Sequence, residues 1–408
     1  MRKSFILCVA LAILAGPALA TEWSTTLVAN STNKSGMALV VDSADRAHFL
    51  FATGGGTLNH WYQSGGTWLS DSTTLLNANG TAASANYFSA AIGADNTIHM
   101  VFRWEGRKDV LGGSLPSYLG YATRSSSGTW ATELDESPGV FEASGKHPGI
   151  AVDAAGNAYV GHWDSSSGAT RWWYSYRDTG WHNVQIDGPQ SGEYRNNSIA
   201  LGPGGKAYVT ACDTETGTDE NYWLRLATFT NGTLDGITDI DKNGKAGRDS
   251  SCVRVDSAGK VHIAYFQYGE TYGECPMYAT NASGSWVLTE INPRSTDTWG
   301  NMGYGSPTLA LDDSDTPYVL YTKQNGNGLR LATLGSTGWT WEEIVSSGSG
   351  GFQVMDPCLM LDSHGNPMIV YRNASTNDIY FSTVPEPTTL CLLALGGIGM
   401  LARRRRGK

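Results

Sequence analysis

Seven copies of one short pattern run along these 408 residues, and a chain assembled from copies buries itself by stacking equivalent units. The pattern opens Met37-Ala38-Leu39-Val40-Val41-Asp42-Ser43, turns, and continues Ala47-His48-Phe49-Leu50-Phe51. It returns at Ile150-Ala151-Val152-Asp153 with Ala158-Tyr159-Val160-Gly161, and at Val253-Arg254-Val255-Asp256 with Val261-His262-Ile263-Ala264-Tyr265. Leu309-Ala310-Leu311-Asp312 and Leu359-Met360-Leu361-Asp362 begin two more, and Gly93 and Gly202 replace the Asp in the remaining pair. The anchors 42, 93, 153, 202, 256, 312 and 362 are 49 to 60 residues apart.

Each repeat carries four strand signals. The first two flank a short Asp/Ser/Gly turn, a composition that supplies the positive φ of tight hairpins. A third follows, as in Leu119-Gly120-Tyr121-Ala122-Thr123 and Ile379-Tyr380-Phe381-Ser382-Thr383, and the fourth opens on Gly-x-Trp or Gly-Trp at Trp68, Trp130, Trp181, Trp286 and Trp339. Apolar alternation without any helical period predicts an all-β chain, and four-strand units at this spacing predict a seven-bladed β-propeller with four-stranded blades. The seventh repeat stops at Thr383, before its Gly-x-Trp strand. Thr21-Glu22-Trp23-Ser24-Thr25-Thr26-Leu27-Val28 repeats the pattern of Gly284-Ser285-Trp286-Val287-Leu288-Thr289-Glu290-Ile291, so an N-terminal strand is expected to close the last blade and remove an open sheet edge.

The turn between third and fourth strands, for example Tyr121-Ala122-Thr123-Arg124-Ser125-Ser126-Ser127-Gly128-Thr129-Trp130, resembles the Asp-box of sialidase-like (BNR-repeat) propellers, with Ser and other residues in the Asp position. That resemblance implies the fold and not sialidase chemistry.

Both ends read as addresses. Arg2 and Lys3 precede the apolar stretch 5–14, and Ala18-Leu19-Ala20 offers a small-x-small cleavage site, the pattern of a secretory signal peptide over residues 1–20. At the other end Val384-Pro385-Glu386-Pro387 is followed by an apolar run, 388–402, and then Arg403-Arg404-Arg405-Arg406. The run is close to the lower limit of roughly 17 residues for a bilayer span, and the arginines hold its end on the cytoplasmic side. Residues 384–408 resemble the PEP-CTERM sorting tail of Gram-negative bacteria. The resemblance implies an exosortase-type partner and at least a transient stay in the inner membrane. It also implies delivery to the outer envelope surface or extracellular matrix. A plain C-terminal anchor is the other reading of the same residues.

Of 28 basic and 38 acidic residues, the signal removes two basic ones, and the tail removes five basic and one acidic. Residues 21–383 therefore keep 21 against 37, a formal −16 that excludes nucleic acid as a partner and suits neutral sugars or cations.

The long connections 104–116, 137–146, 164–170, 188–195, 214–221, 269–274 and 293–305 all join a second strand to a third or a blade to the next. Up-and-down connectivity puts them on one face, the expected binding surface. Trp104, Trp163, Tyr268, Tyr272, Trp299 and Tyr304 lie in or beside them as candidate sugar-stacking rings, or as packing residues. Arg103, Glu105, His147, His162, Asp164 and Arg372 are the candidates for acid–base work, along with Arg195 and Asp213, although no catalytic spacing ties them together. Arg103 and Arg372 occupy the same repeat position, and His162-Trp163-Asp164 spans it in the third repeat. His48, His99 and His262 share a strand position with Tyr159, Tyr208 and Tyr318 and read as structural.

Asp239, Asp241 and Asn243 start a D-x-D-x-N-G calcium pattern with Asp249 near its end, but position twelve is Ser250 and not Glu. The competing reading makes Ile240-Asp241 a blade end. Cys212, Cys252, Cys275 and Cys358 remain in the exported part, where Cys212–Cys252 or Cys252–Cys275 pairing is feasible. Taken together, these features predict an exported propeller that recognises a glycan or exopolysaccharide through its long-loop face. A polysaccharide lyase or glycoside hydrolase on that face, and a protein-interaction scaffold, are the alternatives.

Overall fold

The computed structural model describes residues 23–384 apart from 31–33, 54–55, 77–81, 83, 106–117, 135–145, 167–168, 191–193, 215–221, 244, 270–272, 293–306, 324–326 and 347–352. The compact unit Thr25–Thr383 holds the fold, and most of the second unit, Met1–Ser24 with Val384–Lys408, lies outside the described residues. The strands form seven blades of four antiparallel strands each. Blades 1 to 6 span residues 34–74, 84–134, 146–190, 194–241, 245–290 and 308–345, and blade 7 combines 354–383 with 24–30. Ser24–Asn30 is the fourth strand of blade 7, beside Asp378–Thr383. Thr25 Oγ1 lies 2.8 Å from Ser382 Oγ, and Asn30 Nδ2 donates to Asp378 Oδ1 at 2.7 Å. The first strands of successive blades touch at every junction, from blade 7 to blade 1 included, so the ring is closed.

The turn aspartates explain why the first hairpin repeats so faithfully. Asp42, Asp153, Asp256, Asp312 and Asp362 each accept the backbone N–H groups two and four residues on, at 2.6–3.0 Å. The residue three on takes a positive φ, as Gly at 156, 259 and 365 and as Asp45 and Asp315. Where that residue is Asp or Asn, it also latches the preceding blade. Ser363 donates through its N–H and hydroxyl to the two oxygens of Asp45, Ser257 does the same to Asp315, and Ser43 N–H donates to Asn96 Oδ1. The blade 7–1, 5–6 and 1–2 junctions are thus tied turn to turn.

Buried clusters sit between blades and not within them. Leu50, Leu58 and Leu75 meet Met100 and Phe102, and Trp172, Tyr174 and Ile186 meet Val209 and Phe229. The repeated Trp of the fourth strand is the wedge. Trp181 packs edge-on against Tyr121 of blade 2 at 5.5 Å, Trp339 against Tyr278 of blade 5 at 5.1 Å, and Trp68 against Phe381 of blade 7 at 5.2 Å. Fourth-strand indoles also donate backward: Trp130 Nε1–H to Asp71 Oδ1 at 3.2 Å, Trp181 Nε1–H to Glu133 Oε1 at 2.9 Å and Trp339 Nε1–H to Thr289 Oγ1 at 3.4 Å. Arg124 and Arg177 hold the same two carboxylates.

Toward the axis the position four before the turn residue is always small: Ala38, Ser89, Gly149, Ser198, Cys252, Thr308 and Cys358. A Cβ on Gly149 would lie 2.6 Å from Asn197 O in blade 4. Ser198 Oγ accepts from Val253 N–H, and the thiols of Cys252 and Cys358 point at Leu309 O and Met37 O of the following blades. These directions correct the expected disulfide pairing. Cys212 aims at Ala246 O and Cys275 at Asn292 O, so three thiols face three separate carbonyls, and the four cysteines among the described residues are thiols.

Replacing Trp181 by Ala empties a wedge between blades 2 and 3 and is expected to cost about 3 kcal/mol. A urea titration read by circular dichroism checks it, and an unchanged midpoint would remove the indole from the list of ring contacts.

Candidate functional site

The first strand of each blade runs from the long-loop face down to the aspartate turn. Near its upper end the pairing register slips at matching places in blades 1, 2, 3, 4, 5 and 7, between Lys34 and Met37, Asn86 and Ser89, Lys146 and Gly149, Arg195 and Ser198, Ala246 and Ser251, and Met355 and Cys358. Bulges of this kind re-aim side chains. Among the described residues, four that stand six before a turn anchor have a positive φ: Gly36 (107°), Tyr87 (55°), His147 (44°) and Asp356 (50°). A non-glycine residue in this region costs roughly 1–2 kcal/mol, and strain of that kind collects at functional sites. Here three such residues stand at one equivalent position of blades 2, 3 and 7, the ring position, at the long-loop (mouth) end of the first strands.

Tyr87 is 40% exposed, and its ring centroid lies 4.0 Å from that of His147 in the next blade. Behind His147 stands Trp163, stacked at 6.3 Å and 18°. On blade 7, Arg372 donates through Nε and Nη2 to Asp356 Oδ2 at 3.0 and 2.7 Å, and through Nη1 to Asn377 Oδ1 at 3.3 Å. Arg103 holds the equivalent place in blade 2, opposite Asn86 and one residue along from Tyr87. Blade 1 stands between these groups with Gly36 at the ring position and Ala52 at the arginine position. It offers no long side chain there. A Cβ on Gly36 would come within 3.1 Å of Phe88 N, so the close approach of blades 1 and 2 requires the glycine.

Several expected site residues are placed elsewhere. Trp104 and Trp163 are 4% and 2% exposed, so neither presents a face for stacking. Their second strands simply continue inward-pointing alternation past the blade edge, and Trp104 packs on Phe102 at 5.8 Å. His162 and Asp164 are fully buried. His162 Nε2 lies 2.9 Å from Ser175 Oγ, and burial pushes its pKa down to about 3. Asp164 accepts from Trp173 Nε1 at 2.7 Å and lies 3.4 Å from Arg171 Nη1. Both are structural groups within blade 3. Tyr272, Trp299 and Tyr304, and the side chains of Glu105, Arg195, Asp249 and Tyr268, lie outside the described residues. So do Ala18, Ala20, Pro385, Glu386, Pro387 and the arginines 403–406.

The calcium pattern loses its form in the fold. Asp239 and Asp241 belong to the last strand of blade 4, Thr233–Asp241, and Lys245–Val255 is already the first strand of blade 5. Asp239 accepts from Arg225 Nε at 3.1 Å and lies 2.6 Å from Lys242 Nζ. Asp241 accepts from Tyr265 OH, Gln267 Nε2 and Asn243 N–H at 2.8, 3.0 and 2.8 Å. Protein donors occupy the oxygens that an ion would need, and no group of three or more His, Cys, Asp or Glu is placed to hold one among the described residues. Asp213 likewise joins Asp187 and Asp239 around the single guanidinium of Arg225, at 2.8, 2.6 and 3.1 Å.

Sequence reading missed Tyr87 and Asp356. The signal was present, since both stand six residues before a turn anchor, at the offset of His147.

At the C-terminus residues 383–406 match the PEP-CTERM protein-sorting motif, which indicates exosortase sorting and export to the cell surface. No described helix is long and apolar enough to cross a membrane. No curated protein matches the chain. Among solved structures it is similar to the polysaccharide lyase Uly1, with TM-score 0.54 and 10% identity over 87% of this chain and 90% of that one. It is also similar to the GH93 α-L-arabinofuranosidase of Fusarium graminearum in complex with arabinobiose, with TM-score 0.52 and 9% identity over 90% and 98%. A third is the Hadza microbial sialidase Hz136, with TM-score 0.48 and 12% identity over 77% and 72%. At these identities the likeness is one of fold: the chain is a β-propeller with a PEP-CTERM sorting motif.

Two outcomes follow from burial. Trp163→Ala is expected to lower stability by about 3–5 kcal/mol, as for other buried aromatics, visible as a drop in Tm. Burial keeps His162 neutral when folded, whereas the unfolded chain protonates it near the ordinary value of 6.5. Between that value and about 3 the unfolded state binds the extra proton, so stability falls as pH falls, by about 1.4 kcal/mol per unit for such a group. Urea midpoints at pH 7 and pH 5 should show the loss, and His162→Gln should shrink it.

Proposed function

We propose that residues 21–383 are the mature part of an exported glycan-recognition propeller, delivered by a signal peptide at 1–20 and a sorting tail at 384–408 to the envelope surface or matrix of a Gram-negative bacterium. The glycan is bound at the channel mouth of the long-loop face. The observation that carries this reading is the ring of re-aimed residues, in which Tyr87 is exposed, backed by His147, and followed around the axis by glycine at 36 and by Arg372 with Asp356. An exposed phenol ring held against a second ring is a flat, pre-ordered platform for the apolar face of a sugar, with Arg103 and Arg372 as donors to hydroxyls on either side. The strong negative charge of 21–383 favours a neutral polymer over an acidic one. Two propellers of similar fold, the lyase and the arabinofuranosidase, act on carbohydrates, in keeping with this reading.

A second reading, a polysaccharide-degrading enzyme at the same mouth, is favoured by one contact. His147 and Tyr87 are close enough to share acid–base work with an arginine nearby. One assay separates the two: binding of purified protein to a panel of neutral and uronic polysaccharides by calorimetry, with new reducing ends and unsaturated products followed in parallel. Binding without products is expected. Tyr87→Ala should weaken it about tenfold, near 1.4 kcal/mol, with Tm almost unchanged. Full binding by that variant would move the site off the mouth, and products would make the protein an enzyme.

A further inference from the structure

In three blades a row of polar groups runs outward near the short turn, across the strands and on to the next blade. In blade 5, Tyr278 O–H donates to His262 Nδ1, while His262 Nε2 lies 3.2 Å from Asp256 Oδ2. Thr289, the cross-strand partner of Tyr278, accepts from Trp339 of blade 6. In blade 2, Tyr121 O–H donates to His99 Nδ1, and its cross-strand partner Glu133 holds Arg177 and Trp181 of blade 3.

Blade 1 has a histidine where these two have tyrosine. His60 pairs with Asp71 as Tyr121 pairs with Glu133 and Tyr278 with Thr289. His48 Nε2 lies 3.1 Å from Asp42 Oδ2, His48 Nδ1 lies 2.9 Å from His60 Nε2, and His60 Nδ1 lies 3.3 Å from Asp71 Oδ1. Three such contacts take three protons, and two neutral imidazoles bring two. Asp42 claims one and the contact between the rings claims the other. His60 Nδ1 is left as a lone pair, buried and without a hydrogen-bond partner, facing a carboxylate oxygen. A phenol has no second basic atom, so blades 2 and 5 meet the same demand with nothing left over.

Asp71 is also the tie to blade 2. Arg124 Nε donates to both its oxygens at 3.1 Å, and Trp130 Nε1–H donates to Oδ1 at 3.2 Å. Around the pair, Arg46 donates to Asp42, Tyr62 stacks on both imidazoles, Arg124 lies over Tyr62, and Trp130 meets His60 edge-on. Asp42 and Asp71 balance Arg46 and Arg124 while the rings are neutral, so a third proton adds a buried positive charge. Burial pushes the pKa of His60 down to about 3, with the Arg124 guanidinium adding to the effect, and burial lowers that of His48 too. A freed His60 binds its proton near 6.5, so as pH falls from there toward 3 the opened state gains over the closed one.

We propose that the blade 1–2 junction is an acid-sensitive seam: a proton from the medium that enters at His60 Nδ1 competes with Arg124 and Trp130 for Asp71, and the outer edge of blade 1 comes away from blade 2. The same junction continues up to the close approach of Gly36 to Phe88, beside Tyr87. It opens in acid whether or not the mouth binds a sugar.

Hydrogen–deuterium exchange of the purified full-length chain at pH 7 and pH 5, corrected for intrinsic rates, reads this seam locally through segments 57–74 and 118–134. Segments 273–290 and 329–345, at the blade 5–6 junction, are the reference. On going to pH 5, protection at the blade 1–2 junction is expected to fall about tenfold more than at the reference. His60→Tyr, which copies blades 2 and 5, and His60→Gln, whose amide can donate to His48 but takes up no proton, should each erase the difference. Equal losses at the two junctions in the parent chain overturn the proposal, and so does a difference that survives either substitution. If one variant fails to fold, the other decides together with the parent comparison, and if both fail the parent comparison decides.

Discussion

Each blade is a four-stranded sheet with two faces to cover and little apolar area inside itself, so its stability comes from its neighbours. The indole at the start of the fourth strand supplies the contact that makes this work, because it reaches sideways onto the aromatic residue of the preceding blade and, in blades 2 and 3, donates a hydrogen bond to that blade's carboxylate. The buried clusters follow the same geometry and join consecutive blades. A ring built this way has no end blade exposing half a core. The small residues at the axis follow from it: once the wedges draw the outer strands together, the inner strands approach until Gly149 has no room for a methyl group.

Against that near-symmetric frame the two faces differ. The short-turn face repeats one hydrogen-bonded turn with small variations, and the variations are paired, Ser on one blade with Asp or Asn on the next. The mouth is irregular, with tyrosine, histidine, aspartate and glycine at one ring position. Blade 1 belongs to both patterns. It is latched on both sides at its turn, to Ser363 and to Asn96, while at the mouth it contributes only a glycine.

The fold was legible because its determinants are local and repeated: the turn aspartate, the fourth-strand tryptophan, and a missing last strand whose counterpart lies at the other end of the chain. The site was legible only in part. Loop tryptophans drew attention as stacking rings, yet strand alternation sends Trp104 and Trp163 inward, and the same alternation buries His162 and Asp164. Tyr87 was overlooked because a bulge breaks alternation, so residue parity along the strand no longer tells inside from outside there. Residue type singles out His147 and Arg372 as candidates, Arg372 also by the repeat position it shares with Arg103. Their partners Asp356 and Tyr87 become visible only when positions are counted back from the turn. The calcium pattern illustrates the converse: a partial local match falls where the chain runs on as two strands, and protein donors take the oxygens of Asp239 and Asp241.

The closing strand imposes a timetable. Thr25 and Ser382 are 357 residues apart, so the first strand made waits for the last one. At roughly 5–20 residues per second, that interval is on the order of 20–70 s. During that time Ser24–Asn30 is an orphan edge, and the mostly polar sequence Ser-Thr-Thr-Leu-Val-Ala-Asn makes it a poor template for aggregation. Until Thr383 is in place, the six complete blades are an open arc whose mouth has no blade 7 side to it. The ring therefore becomes whole in a single late event, when Asp378–Thr383 and Ser24–Asn30 meet.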